Sequence, residues 1–129
     1  MEIKYISINQ KRNLLTIGKL NGYLIISLET NKILTQRNTL EPIYIIELYY
    51  CSNIICIIGD GKPLNTLNIW DDNLQKYIGN INNTNIIKSI KVNRNYILIY
   101  DEFEIKLFNF NKLEIIKIIN YKNNKCFDL

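Results

Sequence analysis

The chain has 129 residues, 47% of them hydrophobic and 22% charged, with a formal charge of +4, three cysteines and no histidine. That length suits one ordinary domain with ample material for a core, and the mixture lacks the low hydrophobicity of a disordered chain. Without histidine the usual nucleophile triads are excluded and zinc is a poor reading, while three scattered arginines, Arg12, Arg37 and Arg94, build no bidentate phosphate or guanine cluster.

The lysines are spread through every segment, which suits solubility or loose attraction to an anionic surface, and no nucleic-acid partner is expected. Met1-Glu2-Ile3-Lys4 is not a basic-then-apolar leader, and no apolar run approaches the ~18 residues of a membrane span. Cys51, Cys56 and Cys126 form no CxxC pair and are expected to behave as small hydrophobes in a reducing, cytoplasmic setting.

From the start of the chain, four short β-branched segments follow one another: 3–10, 14–20, 23–28 and 33–36. Asn21-Gly22 between the second and third predicts a hairpin with a type I′ turn, in which both central residues need positive φ. A second group takes in 43–50, 54–59, 66–71 and 74–79, with a longer connection from Asp60 to Asn65 and with Pro42 and Pro63 outside the strands. The third group, 86–92, 96–100, 104–108 and 113–119, is separated by Asn93-Arg94-Asn95, Asp101-Glu102-Phe103 and Asn109-Phe110-Asn111-Lys112. These turns recur too often for a helical stripe to reach a stable length, so each group reads as an antiparallel four-stranded meander.

The groups overlay without a gap. Ile26-Ser27-Leu28-Glu29-Thr30-Asn31-Lys32-Ile33-Leu34 lies on Trp70-Asp71-Asp72-Asn73-Leu74-Gln75-Lys76-Tyr77-Ile78, and the frame continues onto Phe108-Asn109-Phe110-Asn111-Lys112-Leu113-Glu114-Ile115-Ile116. A period of about 41 residues falls within the ~40 to 45 of WD-repeat propeller blades, and Trp70-Asp71 supplies the dipeptide that names the repeat. A β-sandwich predicts no such register. The expected fold is therefore all-β, a partial WD-repeat β-propeller with blades at about 3–37, 43–80 and 86–120 and the start of a fourth at 121–129. Three blades make an arc whose outward faces on the first and third should expose apolar surface and drive self-association.

The residues also carry a family likeness. Ser7-Ile8-Asn9-Gln10, Gly18, Asn21-Gly22-Tyr23 and Ile25-Ile26-Ser27-Leu28 resemble the opening blade of the PROPPINs, the phosphoinositide-binding propellers of autophagy also called the WIPI group. The likeness continues through Ile45-Ile46-Glu47-Leu48, Ile57-Ile58-Gly59 and Leu67-Asn68-Ile69-Trp70. It is closest in Ile90-Lys91-Val92-Asn93-Arg94 and in Ile105-Lys106-Leu107-Phe108-Asn109-Phe110. The resemblance implies a seven-bladed propeller that binds phosphatidylinositol 3-phosphate, often also the 3,5-bisphosphate, as a peripheral protein of endosomal, autophagic or other vesicle membranes, where it recruits autophagy factors. The family's lipid sites lie in later blades beside a Phe/Leu-Arg-Arg-Gly motif, and no two arginines are adjacent here, so no lipid-binding residue is carried over. What the resemblance leaves to this stretch is surface for protein partners, among them lipid-transfer and conjugation factors of autophagy. The alternative role is a WD-repeat interaction scaffold without lipid binding.

Chemistry is sparse. Gly59-Asp60-Gly61-Lys62 lacks the earlier Gly and the following Ser or Thr of a phosphate loop and precedes a strand, so it reads as an inter-strand loop. Nearly all of Asp60, Asp71, Asp72, Asp101, Glu102 and Glu104 fall at or beside turns, where Asp and Asn side chains bond their own backbone. Trp70 and the tyrosines alternate with Ile and Leu and are expected to pack between blades. No catalytic, cofactor-binding or metal residue is assigned, no cofactor is expected, and the protein is not read as an enzyme. The candidate partner contacts are Arg94, in the first turn of the third group, and Lys62 and Pro63, in the protruding second-group loop.

Overall fold

The computed structural model describes residues 2–39, 42–61 and 64–120, and among them every regular element is a strand. The first sheet is β1 (Ile3–Ile8), β2 (Leu14–Lys19), β3 (Gly22–Ser27) and β4 (Ile33–Asn38). The second is β5 (Ile43–Leu48), β6 (Ile54–Gly59), β7 (Thr66–Asp71) and β8 (Lys76–Asn82). The third is β9 (Ser89–Val92), β10 (Tyr96–Tyr100), β11 (Glu104–Asn109) and β12 (Ile115–Asn120). Each is an antiparallel meander with its strands in chain order, so the three-blade, all-β architecture read from the repeat is the one adopted. The fourth blade expected at 121–129 lies outside the described residues.

The gapless overlay has a backbone counterpart. Each sheet carries a register shift at the same frame position, between Ile25 and Ile26, Ile69 and Trp70, and Leu107 and Phe108. Each then turns through one left-handed residue, Asn31 (φ 59), Gln75 (φ 51) or Leu113 (φ 55). Ser27, Asp71 and Asn109 stand at the second frame position and accept amide hydrogens from the turn, Asp71 Oδ1 from Asn73 and Leu74 and Asn109 Oδ1 from Asn111 and Lys112. A short polar side chain at the mouth of a tight turn satisfies amides that the ladder leaves unpaired. This turn also explains why β8 starts at Lys76 and β12 at Ile115, each two residues later than the hydrophobic run suggested.

Other strand ends differ from expectation for local reasons. β1 and β5 stop at Ile8 and Leu48 because Asn9 and Tyr49 close turns, with the Asn9 amide donating to the Leu14 carbonyl and the Tyr49 amide to the Ile54 carbonyl. β9 begins only at Ser89, because the Ile87 amide reaches back to the Leu64 carbonyl in the β6–β7 connection at 2.9 Å and the Ile87 side chain is fully buried. The first hairpin is also corrected. Lys19 pairs with Gly22, so Leu20 and Asn21 are the loop residues and the type I′ turn is not formed, Asn21 keeping negative φ. Gly22 is demanded instead by its φ of 149° and by β4, since a Cβ there would sit 1.8 Å from the Arg37 carbonyl oxygen.

The sheets stack through their first strands, β5 touching β1 and β2 on one side and β9 on the other. The middle sheet is therefore buried on both faces, and β6 shows how. Ile55 and Ile57 join Tyr23, Ile25, Ile43, Ile46 and Leu48 against the first sheet. Cys56 and Ile58 join Leu67, Ile69, Ile90, Val92, Ile97, Ile99 and Phe108 against the third. A strand alternating between two apolar layers must read as a continuous apolar run, which is the sequence of β6. Close stacking also needs Gly18, where a Cβ would lie 2.7 Å from Ile43 Cγ2. On β1, Tyr5 and Ser7 bond to β5, so Ile6 and Ile8 face away and are about half exposed, as the arc requires.

Candidate partner-contact surface

The first turns of all three sheets gather at one end of the stack, and there the inner strands leave an open cavity of about 560 Å³ lined by Asn9, Gln10, Arg12, Glu47, Tyr50 and Lys91 among others. Gln10 ties the three sheets together at its rim. Its Oε1 accepts the Tyr50 amide hydrogen at 2.6 Å and its Nε2 donates to the Val92 carbonyl at 3.0 Å. Asn9 does the same for two sheets, accepting the amides of Asn13 and Leu14 while donating to the Tyr50 carbonyl. Glu47 accepts the Tyr5 hydroxyl at 2.6 Å. Burial raises the Glu47 carboxyl above its ordinary range, only partly offset by the Tyr5 hydrogen bond and the Lys91 charge, and burial with the Glu47 contact drives the Tyr5 phenol upward too.

Arg94 stands at the edge of this end. Asn93 Oδ1 accepts the amides of Asn95 and Tyr96, fixing the turn, and the Tyr49 hydroxyl donates to the Arg94 carbonyl at 2.8 Å. The guanidinium carbon lies 5.7 Å from the Tyr50 ring centre, within cation–π reach. Tyr50 meets Tyr49 edge-on at 5.1 Å, and Tyr49 stacks on Phe110 at 4.2 Å. An exposed arginine on an aromatic base loses less freedom when it docks than one on a free stem, and it favours a carboxylate partner. Arg12 and Lys91 are exposed beside the same cavity.

Lys62 and Pro63 lie outside the described residues. Their neighbours Gly61 and Leu64 sit between β6 and β7, at the end of the blades opposite Arg94, so the fold does not bring those flanks and Arg94 onto one surface. Beside them, Lys4 pairs with Asp60 at 3.3 Å.

Two constellations escaped sequence reasoning. Asp72 does not cap its own turn. Its Oδ1 accepts Tyr23 OH at 2.5 Å, Arg37 Nε at 2.9 Å and Trp70 Nε1 at 3.3 Å, and its Oδ2 accepts Arg37 Nη2 at 3.0 Å. Burial would raise this carboxyl, but hydrogen bonds from Tyr23, Arg37 and Trp70, together with the Arg37 charge, outweigh it and hold Asp72 below the usual range. The residue thus latches the first sheet to the second, and Arg37 is consumed there. Between the second and third sheets, Lys106 Nζ donates to Asn83 Oδ1 at 2.7 Å and Asn83 Nδ2 to Asp101 Oδ2 at 2.8 Å, all three residues being buried. Asp101 Oδ1 meanwhile caps its turn through Phe103 and Glu104. The available signal was a lysine at the centre of an apolar strand, Ile105-Lys106-Leu107, beside turn carboxylates.

Comparison with known proteins follows the same pattern. The PROPPIN family model matches residues 2–125. The curated mouse (Mus musculus) protein WD repeat domain phosphoinositide-interacting protein 1 is 28% identical over 116 residues, which cover 88% of this chain and 26% of that protein. Hsv2 of Kluyvelomyces marxianus superimposes with a TM-score of 0.86 at 16% identity, over 92% of this chain and 39% of that one. KlAtg21, solved in complex with the coiled-coil of AgAtg16, does so with a TM-score of 0.82 at 15% identity, over 93% and 40%. The likeness to solved structures shows the fold. The chain spans about a quarter of the curated relative and about two fifths of the solved chains.

Proposed function

This chain belongs to the PROPPIN family, and from that premise we propose that it is the protein-contacting part of a non-enzymatic phosphoinositide effector. In this reading it supplies docking surface for autophagy factors, while phosphatidylinositol 3-phosphate is bound through blades beyond these three. The protein would act in the cytoplasm, peripherally on endosomal, autophagic or other vesicle membranes. The family is one of autophagy-related β-propellers, with a relative described as phosphoinositide-interacting. Among the described residues, no helix is long and apolar enough to cross a membrane.

The observation that carries the partner half of the proposal is Arg94, exposed on the Tyr49–Tyr50–Phe110 base beside Arg12 and Lys91. A positive rim held on a rigid aromatic step favours an acidic segment of a partner, and the KlAtg21 structure contains a coiled-coil partner. Lys62 and Pro63 are proposed as a second, separate contact. Arg94→Glu should weaken capture of an acidic coiled-coil partner at least tenfold without lowering the melting temperature, and unchanged capture removes Arg94 from the surface. Liposome sedimentation tests the lipid half. This chain alone should show no preference for vesicles containing phosphatidylinositol 3-phosphate over phosphatidylinositol, and a strong preference would place the lipid site within these blades.

A further inference from the structure

The outer strands β4, β8 and β12 are sheet edges, and they are not alike. β4 ends in Thr35-Gln36-Arg37-Asn38, and β8 is interrupted by Gly79 and Asn80 and ends in Asn82, the polar and weak residues that keep an edge from pairing with another chain. β12 reads Ile115-Ile116-Lys117-Ile118-Ile119-Asn120, with Lys117 its one charge. All six residues are exposed, Ile115 at 48%, Ile116 at 52%, Ile118 at 47% and Ile119 at 44%. Among the described residues, β12 pairs only with β11. Stacking of further blades covers the sides of a sheet rather than its outer edge, so among the described residues nothing pairs with the outer side of β12.

The register of β12 narrows what can pair there. A shift near Ile115 displaces the start of the strand, and regular pairing with β11 resumes from Lys117 against Leu107 to Asn120 against Glu104. A strand added to the outer edge finds its regular template over Ile116–Asn120. This stretch is apolar at three of five positions, and a second copy related by a two-fold axis presents the same residues in antiparallel order. A two-fold axis at Lys117 sets like charges opposite each other, whereas an axis at Ile118 places Lys117 against Ile119 of the second copy and stays clear of the shift. A two-fold contact also closes on itself and needs no second surface.

We propose that β12 is a self-association edge, pairing antiparallel with β12 of a second copy about Ile118 to join two four-stranded sheets into one of eight. The contact is small and belongs to the weak, reversible class. Sedimentation velocity across a concentration series should show the 15.3 kDa chain moving toward twice its mass. Ile118→Lys and Ile118→Glu should each shift that transition at least tenfold upward in concentration, because like charges then oppose each other at the axis. Mixing the two variants should restore the dimer as a heterodimer, a rescue that loss of folding cannot produce. A parent that stays monomeric throughout overturns the proposal, as does a dimer indifferent to either charge. It is equally overturned if the mixture stays monomeric, or if only Leu98→Glu, on the open side of the third sheet, disperses the dimer.

Discussion

Removing the Asp72 carboxylate tests how the first two sheets are held together. Tyr23 is fully buried, and its hydroxyl donates to Asp72 Oδ1. Truncation by Asp72→Ala leaves that hydroxyl without an acceptor, at a cost of about 1–3 kcal/mol. The Arg37 pair is worth less. Its side chain is 34% exposed against 12% for Asp72, so screening reduces it to about 0–1 kcal/mol. With the longer Trp70 bond, Asp72→Ala should cost about 2–4 kcal/mol, and Asp72→Asn, which keeps an acceptor and loses the charge, about 1 kcal/mol. Urea unfolding followed by tryptophan fluorescence measures both, since Trp70 lies at the latch. In a Tyr23→Phe background the buried donor is already gone, and the same Asp72→Ala change should cost about 1–2 kcal/mol less. The direction of the pKa shift adds a pH test. Because the folded-state value is depressed, the contribution is present above the ordinary carboxylate pKa of about 3.9 and is lost as pH falls through the lower folded value. The stability gap between parent and Asp72→Asn should therefore close below about pH 4. An Asp72→Ala variant within about 0.5 kcal/mol of the parent at neutral pH would refute the latch.

Gln75 is exposed and left-handed at φ 51, so Gln75→Gly should relieve strain and gain about 0.5–1 kcal/mol, seen as a higher melting temperature. Gly22→Ala should cost more than about 3 kcal/mol or prevent folding, because the added methyl meets the Arg37 carbonyl as well as an unfavourable φ; circular dichroism with urea titration reads it. Lys106→Met should destabilise by about 2–4 kcal/mol by stranding Asn83 and Asp101, and a further Asp101→Asn change should recover part of that loss in chemical denaturation. Burial, assisted by the Glu47 charge, pushes the Cys56 thiol up to about 12, so with Cys51 and Cys126 replaced by serine the folded chain should resist a thiol reagent at pH 8 and react fully in urea.

Local signals were legible where chain neighbours supply the chemistry. The frame from Ile26 to Leu34 and its two copies carries a turn that completes itself, one polar side chain bonding the next amides and one residue turning left-handed, so the repeat could be laid out without coordinates. Asn21-Gly22 shows the limit of that logic. The dipeptide marks the correct hairpin, but the glycine answers to Arg37 on another strand, and the turn shifts by one residue. The turn carboxylates show it again, for Asp71 and Asp72 look interchangeable as letters, yet one caps a turn and the other joins sheets. Arg94 is legible as a turn cation and candidate partner contact, whereas its aromatic base is assembled from Tyr50 in the β5–β6 turn, braced by Tyr49 and Phe110.

By itself the amino-acid order determined the number of blades, their strand order and the double burial of the middle sheet, because alternation, turn chemistry and a period near 41 residues are properties of neighbouring positions. Tertiary structure alone decided which polar groups serve the joints, through Gln10, Asp72 and the Lys106–Asn83–Asp101 chain. Apart from Trp70, two residues from Asp72 on the same sheet, those partners stand between 18 and 82 residues apart. Their pairing depends on how closely and at what rotation one twisted sheet seats on the next, and no local pattern encodes that fit.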